Sequence, residues 1–131
     1  MKNSFKTVWA IALVILVSLS SCKKDDDPTP LSCNLATASA EFSEDSIDVT
    51  YKLEATGDAK ISSFFYYDET GKVELQNPDF PKEIKITLTQ QKSMQAGAVG
   101  NVTNGSIKVS FKATTETSNY EGIDQCSQST N

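Results

Sequence analysis

Ala98-Val99-Gly100-Asn101-Val102-Thr103-Asn104-Gly105-Ser106-Ile107-Lys108-Val109-Ser110-Phe111 is the stretch whose reading decides the fold. On its C-terminal side Ile107, Val109, Phe111 and Ala113 alternate with Ser106, Lys108, Ser110 and Lys112, the period of a strand that buries one face. On its N-terminal side Ala96, Ala98, Gly100 and Val102 are small or apolar at every second position. Asn104-Gly105 between them is the preferred pair for a two-residue type I′ hairpin. Such a turn predicts Thr103 opposite Ser106, Val102 opposite Ile107, Gly100 opposite Val109, Ala98 opposite Phe111 and Ala96 opposite Ala113. All of the small and apolar positions then share the inward face.

Working outward, the same alternation recurs. Ile47, Val49, Tyr51 and Leu53 alternate with Ser46, Asp48, Thr50 and Lys52; Ile84, Ile86 and Leu88 alternate with Glu83, Lys85 and Thr87. Ala36, Ala38, Ala40 and Phe42 suggest a first strand of small residues, with a short helix as the alternative. Residues 61–67 read as a strand apolar on both faces, and Asp68-Glu69-Thr70-Gly71 as the turn into residues 72–75. Asn77-Pro78-Asp79-Phe80-Pro81 forbids continuous pairing and predicts an edge crossing or a change of sheet. The expected fold is all-β: about seven short antiparallel strands in a two-sheet sandwich of immunoglobulin or fibronectin type, with a small barrel as the alternative.

The N-terminus is of a different kind. Lys2 and Lys6 precede an unbroken apolar run at residues 8–17, which has the charge and length of a signal sequence. As a helix that run would rise only about 15 Å, half of a bilayer core. Leu19-Ser20-Ser21-Cys22 follows and resembles a bacterial lipobox, in which the cysteine carries the lipid. Residues 1–21 are therefore expected to be a lipoprotein signal peptide and residues 22–32 a tether from lipidated Cys22, with residues 33–131 forming the sandwich. Several acyl chains anchor stably where one holds weakly. Lys23-Lys24-Asp25-Asp26-Asp27 with Pro28-Thr29-Pro30 reads as a solvated tether. A lysine and acidic run directly after the lipidated cysteine also resembles the export signal of Bacteroidetes surface lipoproteins. That resemblance implies an outer-membrane, cell-surface location, the alternative being a domain that faces the periplasm.

Composition narrows the function. The 131 residues hold 12 basic and 17 acidic side chains and no histidine, and every basic residue is lysine. An acidic chain without arginine is a poor match to nucleic acid. Without histidine a serine triad, a histidine-activated cysteine and a classical zinc site are all unavailable. The expectation is a non-enzymatic binding or scaffolding module with no cofactor and no metal, the alternatives being an assembly subunit that donates or accepts a strand at an exposed edge and a small carboxylate-dependent hydrolase. With Cys22 acylated, Cys33 and Cys126 remain as an even pair in an oxidising compartment and are expected to form a disulfide near both ends of the domain.

Val49-Thr50-Tyr51-Lys52-Leu53-Glu54 running into Thr56-Gly57, then Phe64-Phe65-Tyr66-Tyr67-Asp68 with Gly71, then Phe80-Pro81 and Asn104-Gly105, resemble the small MmpS-like envelope proteins. The resemblance spans residues 49–126 and implies a small β-sandwich carried on a lipoprotein. Lys82 stands where that family has tryptophan after the proline, so the family's lipid-transporter partnership is not carried over.

Few candidate sites emerge. Phe64, Phe65, Tyr66 and Tyr67 must put two aromatics on each face of one strand, so one pair is a candidate binding patch for a carbohydrate or protein partner unless a loop covers it. Glu41, Glu44, Asp45 and Asp48 gather near one turn but lack a calcium-loop motif, and a sandwich this small offers little cleft for a carboxylate-dependent hydrolase. Asp45-Ser46-Ile47 resembles a Bacteroidetes O-glycosylation acceptor, which makes Ser46 a candidate. Asn101-Val102-Thr103 matches the asparagine sequon, an accidental match in a bacterium.

Overall fold

In the computed structural model residues 27–130 are described, and all of their regular structure is extended. The strands are β1 (Leu31–Ala36), β2 (Ala40–Glu41), β3 (Ile47–Gly57), β4 (Lys60–Asp68), β5 (Gly71–Gln76), β6 (Lys82–Leu88), β7 (Ser93–Met94), β8 (Gly97–Val102), β9 (Gly105–Thr114) and β10 (Asn119–Gln128). Two four-stranded antiparallel sheets, in the orders β1-β8-β4-β5 and β10-β9-β3-β6, pack face to face, and β2 pairs with β7. The fold is thus an all-β sandwich. Within the two large sheets β4–β5 and β9–β10 pair strands consecutive in the chain, whereas β1–β8, β8–β4, β9–β3 and β3–β6 join strands distant in sequence.

Alternation built this core as expected. Val49, Tyr51 and Leu53 of β3, Ile107, Val109, Phe111 and Ala113 of β9, Phe64 of β4, and Ala98 and Val102 of β8 are all buried between the sheets. Each large apolar side chain withdrawn from water contributes about 1.5–3 kcal/mol. Phe42, Met94 and Ala96 close one end of the core. Asn77–Pro81 carries the chain from β5 in one sheet to β6 in the other, the expected change of sheet.

The Asn104-Gly105 hairpin is not formed. β8 pairs with β1 and β4, whereas β9 pairs with β3 and β10, so the connection is an arch between sheets rather than a turn within one. A type I′ turn needs positive φ at both central residues; Gly105 has φ 147°, but Asn104 stays on the negative side. Asp58 selects the arch. Its carboxylate accepts from the N–H groups of Thr103 and Asn104 at 2.9 and 2.8 Å, and its own N–H donates to the Asn104 carbonyl at 3.1 Å. The predicted inward faces are correct because both strands line the same core, each from its own sheet.

Two further differences concern strands. The first strand runs from Leu31 and buries Cys33 and Leu35, leaving Ala36 and Ala38 exposed, one residue out of phase with the alanine pattern. Leu31 and Ser32, expected in the tether, are therefore part of the fold. Buried Thr37 continues the β1 face: its N–H donates to the Ala96 carbonyl at 2.9 Å and its hydroxyl accepts from the Ala96 N–H at 3.1 Å. β10 has no counterpart in the expected strands, because its inward positions include Gly122 and Asp124. The Phe111 ring of β9 lies over Gly122 and occupies the space a Cβ there would need, supplying the apolar cover that β10 lacks.

Cys33 and Cys126 form a disulfide, with Cα atoms 5.9 Å apart and a sequence separation of 93. β1 and β10 are edge strands of different sheets, so the bond closes one flank of the sandwich. Asp124 Oδ2 accepts from the Ala36 N–H at 2.9 Å and Gln128 Nε2 donates to the Thr29 carbonyl at 3.1 Å along the same flank.

Candidate interaction face

Strand β4 decides the fate of the four aromatics. Pleating sends Phe64 and Tyr66 into the core and Phe65 and Tyr67 outward. Phe64 is fully buried, and Tyr66 packs with its ring 5.5 Å from Tyr51 and 6.0 Å from Phe64, so these two leave the candidate patch. Burial and the charge of Asp68 push the Tyr66 phenol up. Phe65 and Tyr67 are half-buried on the outer face of the sheet.

Phe65 is seated rather than loose. Its β8 partner is Gly97, where a Cβ would collide with the Phe65 ring, and the Lys72 ammonium of β5 stands 4.2 Å from the ring centroid. An aromatic covering a cross-strand glycine restores apolar contact that the glycine lacks, and the ammonium over a ring adds about 0.5–1 kcal/mol at an exposed site. A β-bulge between Ile61 and Ser63 precedes it, with Ser62 Oγ donating to the Val99 carbonyl at 3.0 Å.

The two outer faces of the sandwich differ in kind. On β10-β9-β3-β6 the outward side chains include Asp48, Lys52, Glu54, Glu83, Lys85, Lys108, Lys112 and Glu121, with ion pairs at 3.2 Å between Lys52 and Glu83 and between Lys85 and Glu83, and at 3.6 Å between Lys108 and Glu54. On β1-β8-β4-β5 the centre of the face is uncharged: Asn34, Val99 and Ser63 form one cross-strand row, and Ala36, Gly97 and Phe65 the next. Lys72 and Glu74 are confined to the β5 edge. Val99 is 42% exposed at the middle of this face. Half-exposed aromatics flanked by small residues and amides suit a flat partner surface or a sugar ring. Lys72, Gly97 and Val99 are absent from the candidates drawn from sequence, because only strand pairing places them beside Phe65 and Tyr67.

The acidic turn has a structural occupation. The Glu44 carboxylate accepts from the Tyr120 hydroxyl at 3.2 Å, the Thr115 hydroxyl at 3.3 Å and the Ser43 N–H at 3.0 Å. Its own main-chain N–H, ahead of the Tyr120 hydroxyl, holds it below its usual range against some desolvation. Lys92 Nζ donates to the Glu44 carbonyl at 2.6 Å and lies 4.8 Å from the Phe42 ring centroid. Asp48 Oδ1 instead accepts from the Thr87 hydroxyl at 2.6 Å. Among the described residues no group of three or more acidic or cysteine side chains is placed to hold a metal ion. Ser46 is exposed just before β3, at the rim of an open depression lined also by Ile47, Asp48, Thr114, Thr115 and Glu116. Asn101 is exposed on β8.

Leu19, Ser20, Ser21, Cys22, Lys23, Lys24, Asp25 and Asp26 lie outside the described residues; Asp27 is exposed at their boundary. Among the described residues no helix is long and apolar enough to cross a membrane. No protein-family model, no curated protein and no solved structure matches the chain.

Proposed function

We propose that this chain is a lipid-anchored outer-membrane protein, exposed at the cell surface, that presents a non-enzymatic sandwich as a binding or scaffolding module. The anchor rests on Leu19-Ser20-Ser21-Cys22 after a short apolar run, and the surface location on Lys23-Lys24-Asp25-Asp26-Asp27. The observation that carries the binding role is the contrast between faces: one laced with charge, the other uncharged at its centre around Val99, with Phe65 and Tyr67 beside it and the charges of Lys72 and Glu74 confined to the β5 edge. Its partner is a protein or a carbohydrate.

Cell fractionation of Cys22→Ala tests the anchor: the variant is released from membranes, and retention would overturn the lipoprotein reading. Protease shaving of intact cells degrades the domain if it is exposed, and full protection assigns it to the periplasm. For the face, affinity electrophoresis against neutral and acidic polysaccharides is compared between the wild type and Val99→Lys, which places a cation beside Phe65. Retardation lost in Val99→Lys supports carbohydrate binding there; retardation unchanged by the substitution removes this face from the account.

A further inference from the structure

The two flanks of the sandwich are unlike. One is closed by the Cys33–Cys126 bond between edge strands β1 and β10. At the other, β5 and β6 are the edge strands, and Tyr66, Val73, Leu75, Ile84 and Ile86 between them are only half-buried. An edge with unpaired main-chain groups above an incompletely covered apolar seam is a template for strand addition.

The turn after β4 fixes which groups of β5 are free. Asp68 and Gly71 pair across a two-residue turn, so they form the hydrogen-bonded pair and the ladder alternates from there. Tyr66–Val73 and Phe64–Leu75 are then the next hydrogen-bonded pairs, and the N–H and C=O groups of Lys72, Glu74 and Gln76 point away from β4.

We propose that β5 pairs antiparallel with β5 of a second copy of this chain about a two-fold axis at Val73. In that register Lys72 of each copy stands directly opposite Glu74 of the other. These are the residues whose main-chain groups face outward, so both exchange hydrogen bonds across the axis. Opposite charges meet on both sides of it, a self-complementary arrangement that an isologous interface demands. Neither Lys72 nor Glu74 has an ion-pair partner among the described residues, whereas on β6 Glu83 is already bonded to Lys52 and Lys85 at 3.2 Å. Pairing joins the two four-stranded sheets into one, sets the uncharged faces side by side and covers Val73 and Leu75. This assembly requires neither the lipid anchor nor a ligand on the outer face.

Oxidative cross-linking of the full chain in detergent tests it. Val73 and its counterpart form a non-hydrogen-bonded pair with Cα atoms about 4.5 Å apart, within the span a disulfide bridges. Val73→Cys therefore yields a covalent dimer above the level of the unsubstituted chain. Added Glu74→Pro removes an outward N–H without touching the bonds to β4 and abolishes the dimer. Lys72→Glu sets like charges opposite each other and lowers the yield about tenfold, and Lys72→Glu combined with Glu74→Lys restores it. If Glu74→Pro fails to fold, the charge exchange decides. No dimer from Val73→Cys at any concentration, a dimer indifferent to Lys72→Glu, or failure of the double exchange to restore it would overturn the proposal.

Discussion

Opening the Cys33–Cys126 bond should remove a large share of the stability of this domain. The bond closes a loop with a sequence separation of 93, for which the chain-entropy relation gives about 4.6 kcal/mol at 25 °C. Domains of this size are stable by about 5–15 kcal/mol in all. Without the cross-link, the flank between β1 and β10 keeps only such contacts as Ala36 N–H to Asp124 and Gln128 to the Thr29 carbonyl. Urea unfolding followed by circular dichroism, with and without reductant, measures the difference. Reduction changes no residue and replaces the bond with two thiols, a smaller perturbation than substituting either cysteine. The expected loss lowers the urea midpoint by about 2–4 M at a slope typical of small domains and the thermal midpoint by about 20–35 °C. The denaturant slope should steepen as well, because an uncross-linked chain exposes more surface when it unfolds. A loss below about 1 kcal/mol would refute the entropic account and mean that the cross-link does little to restrict the unfolded chain.

Two more outcomes follow from the interior and the loops. Tyr51 is fully buried beside Tyr66 and Phe111, its hydroxyl makes no hydrogen bond of good geometry, and burial pushes its phenol up against a weak opposing contact with the Tyr67 main chain; Tyr51→Phe should leave thermal stability unchanged or raise it by up to about 1 kcal/mol, and a clear loss would show that the Tyr67 main chain is a full partner for the hydroxyl. Asp58 is held below its usual range first by the Asn104 N–H and then by that of Thr103, Asp68 first by the Thr70 hydroxyl, and Glu69 first by the Gln90 N–H. Because these folded-state values are depressed, their contribution is present above the unfolded values of 3.8 for Asp and 4.5 for Glu and is lost as pH falls through the folded ones. The thermal midpoint should thus hold between about pH 7 and 5 and fall below about 4.5, with a shallower fall in Asp58→Asn; a midpoint that rises on acidification contradicts it.

Much of the fold was legible because pleating is local. Residues 47–53, 84–88 and 107–113 announce their inward faces by alternation alone, and the structure turns them inward as read, with Ile84 and Ile86 of edge strand β6 only half-buried. β10 was not legible: Gly122 and Asp124 stand where apolar residues would mark a strand, and the Phe111 ring that compensates belongs to another strand. The first strand was misphased because its alanines carry little signal beside Cys33 and Leu35. Of the four aromatics on β4, sequence could say that two face each way; the phase that turns Phe64 and Tyr66 inward and Phe65 outward goes with packing of Tyr66 against Tyr51 and with Gly97 beneath Phe65.

By itself, the sequence determined the class of the molecule. Alternation in residues 47–53, 84–88 and 107–113 of a chain with neither histidine nor arginine points to an all-β fold, and Leu19-Ser20-Ser21-Cys22 after an apolar run carries the proposed anchor. The tertiary structure decided which strand lies beside which. Asn104-Gly105 has the composition of a hairpin, yet the Asp58 carboxylate, some forty-five residues away in sequence, binds the N–H groups of Thr103 and Asn104 and sends β8 and β9 into different sheets. Only that partition puts Val99 beside Ser63, Gly97 beneath Phe65 and β5 at an edge. Alternation is set by the geometry of each residue and its neighbours, whereas pairing is set by which distant groups satisfy the main chain where a strand ends.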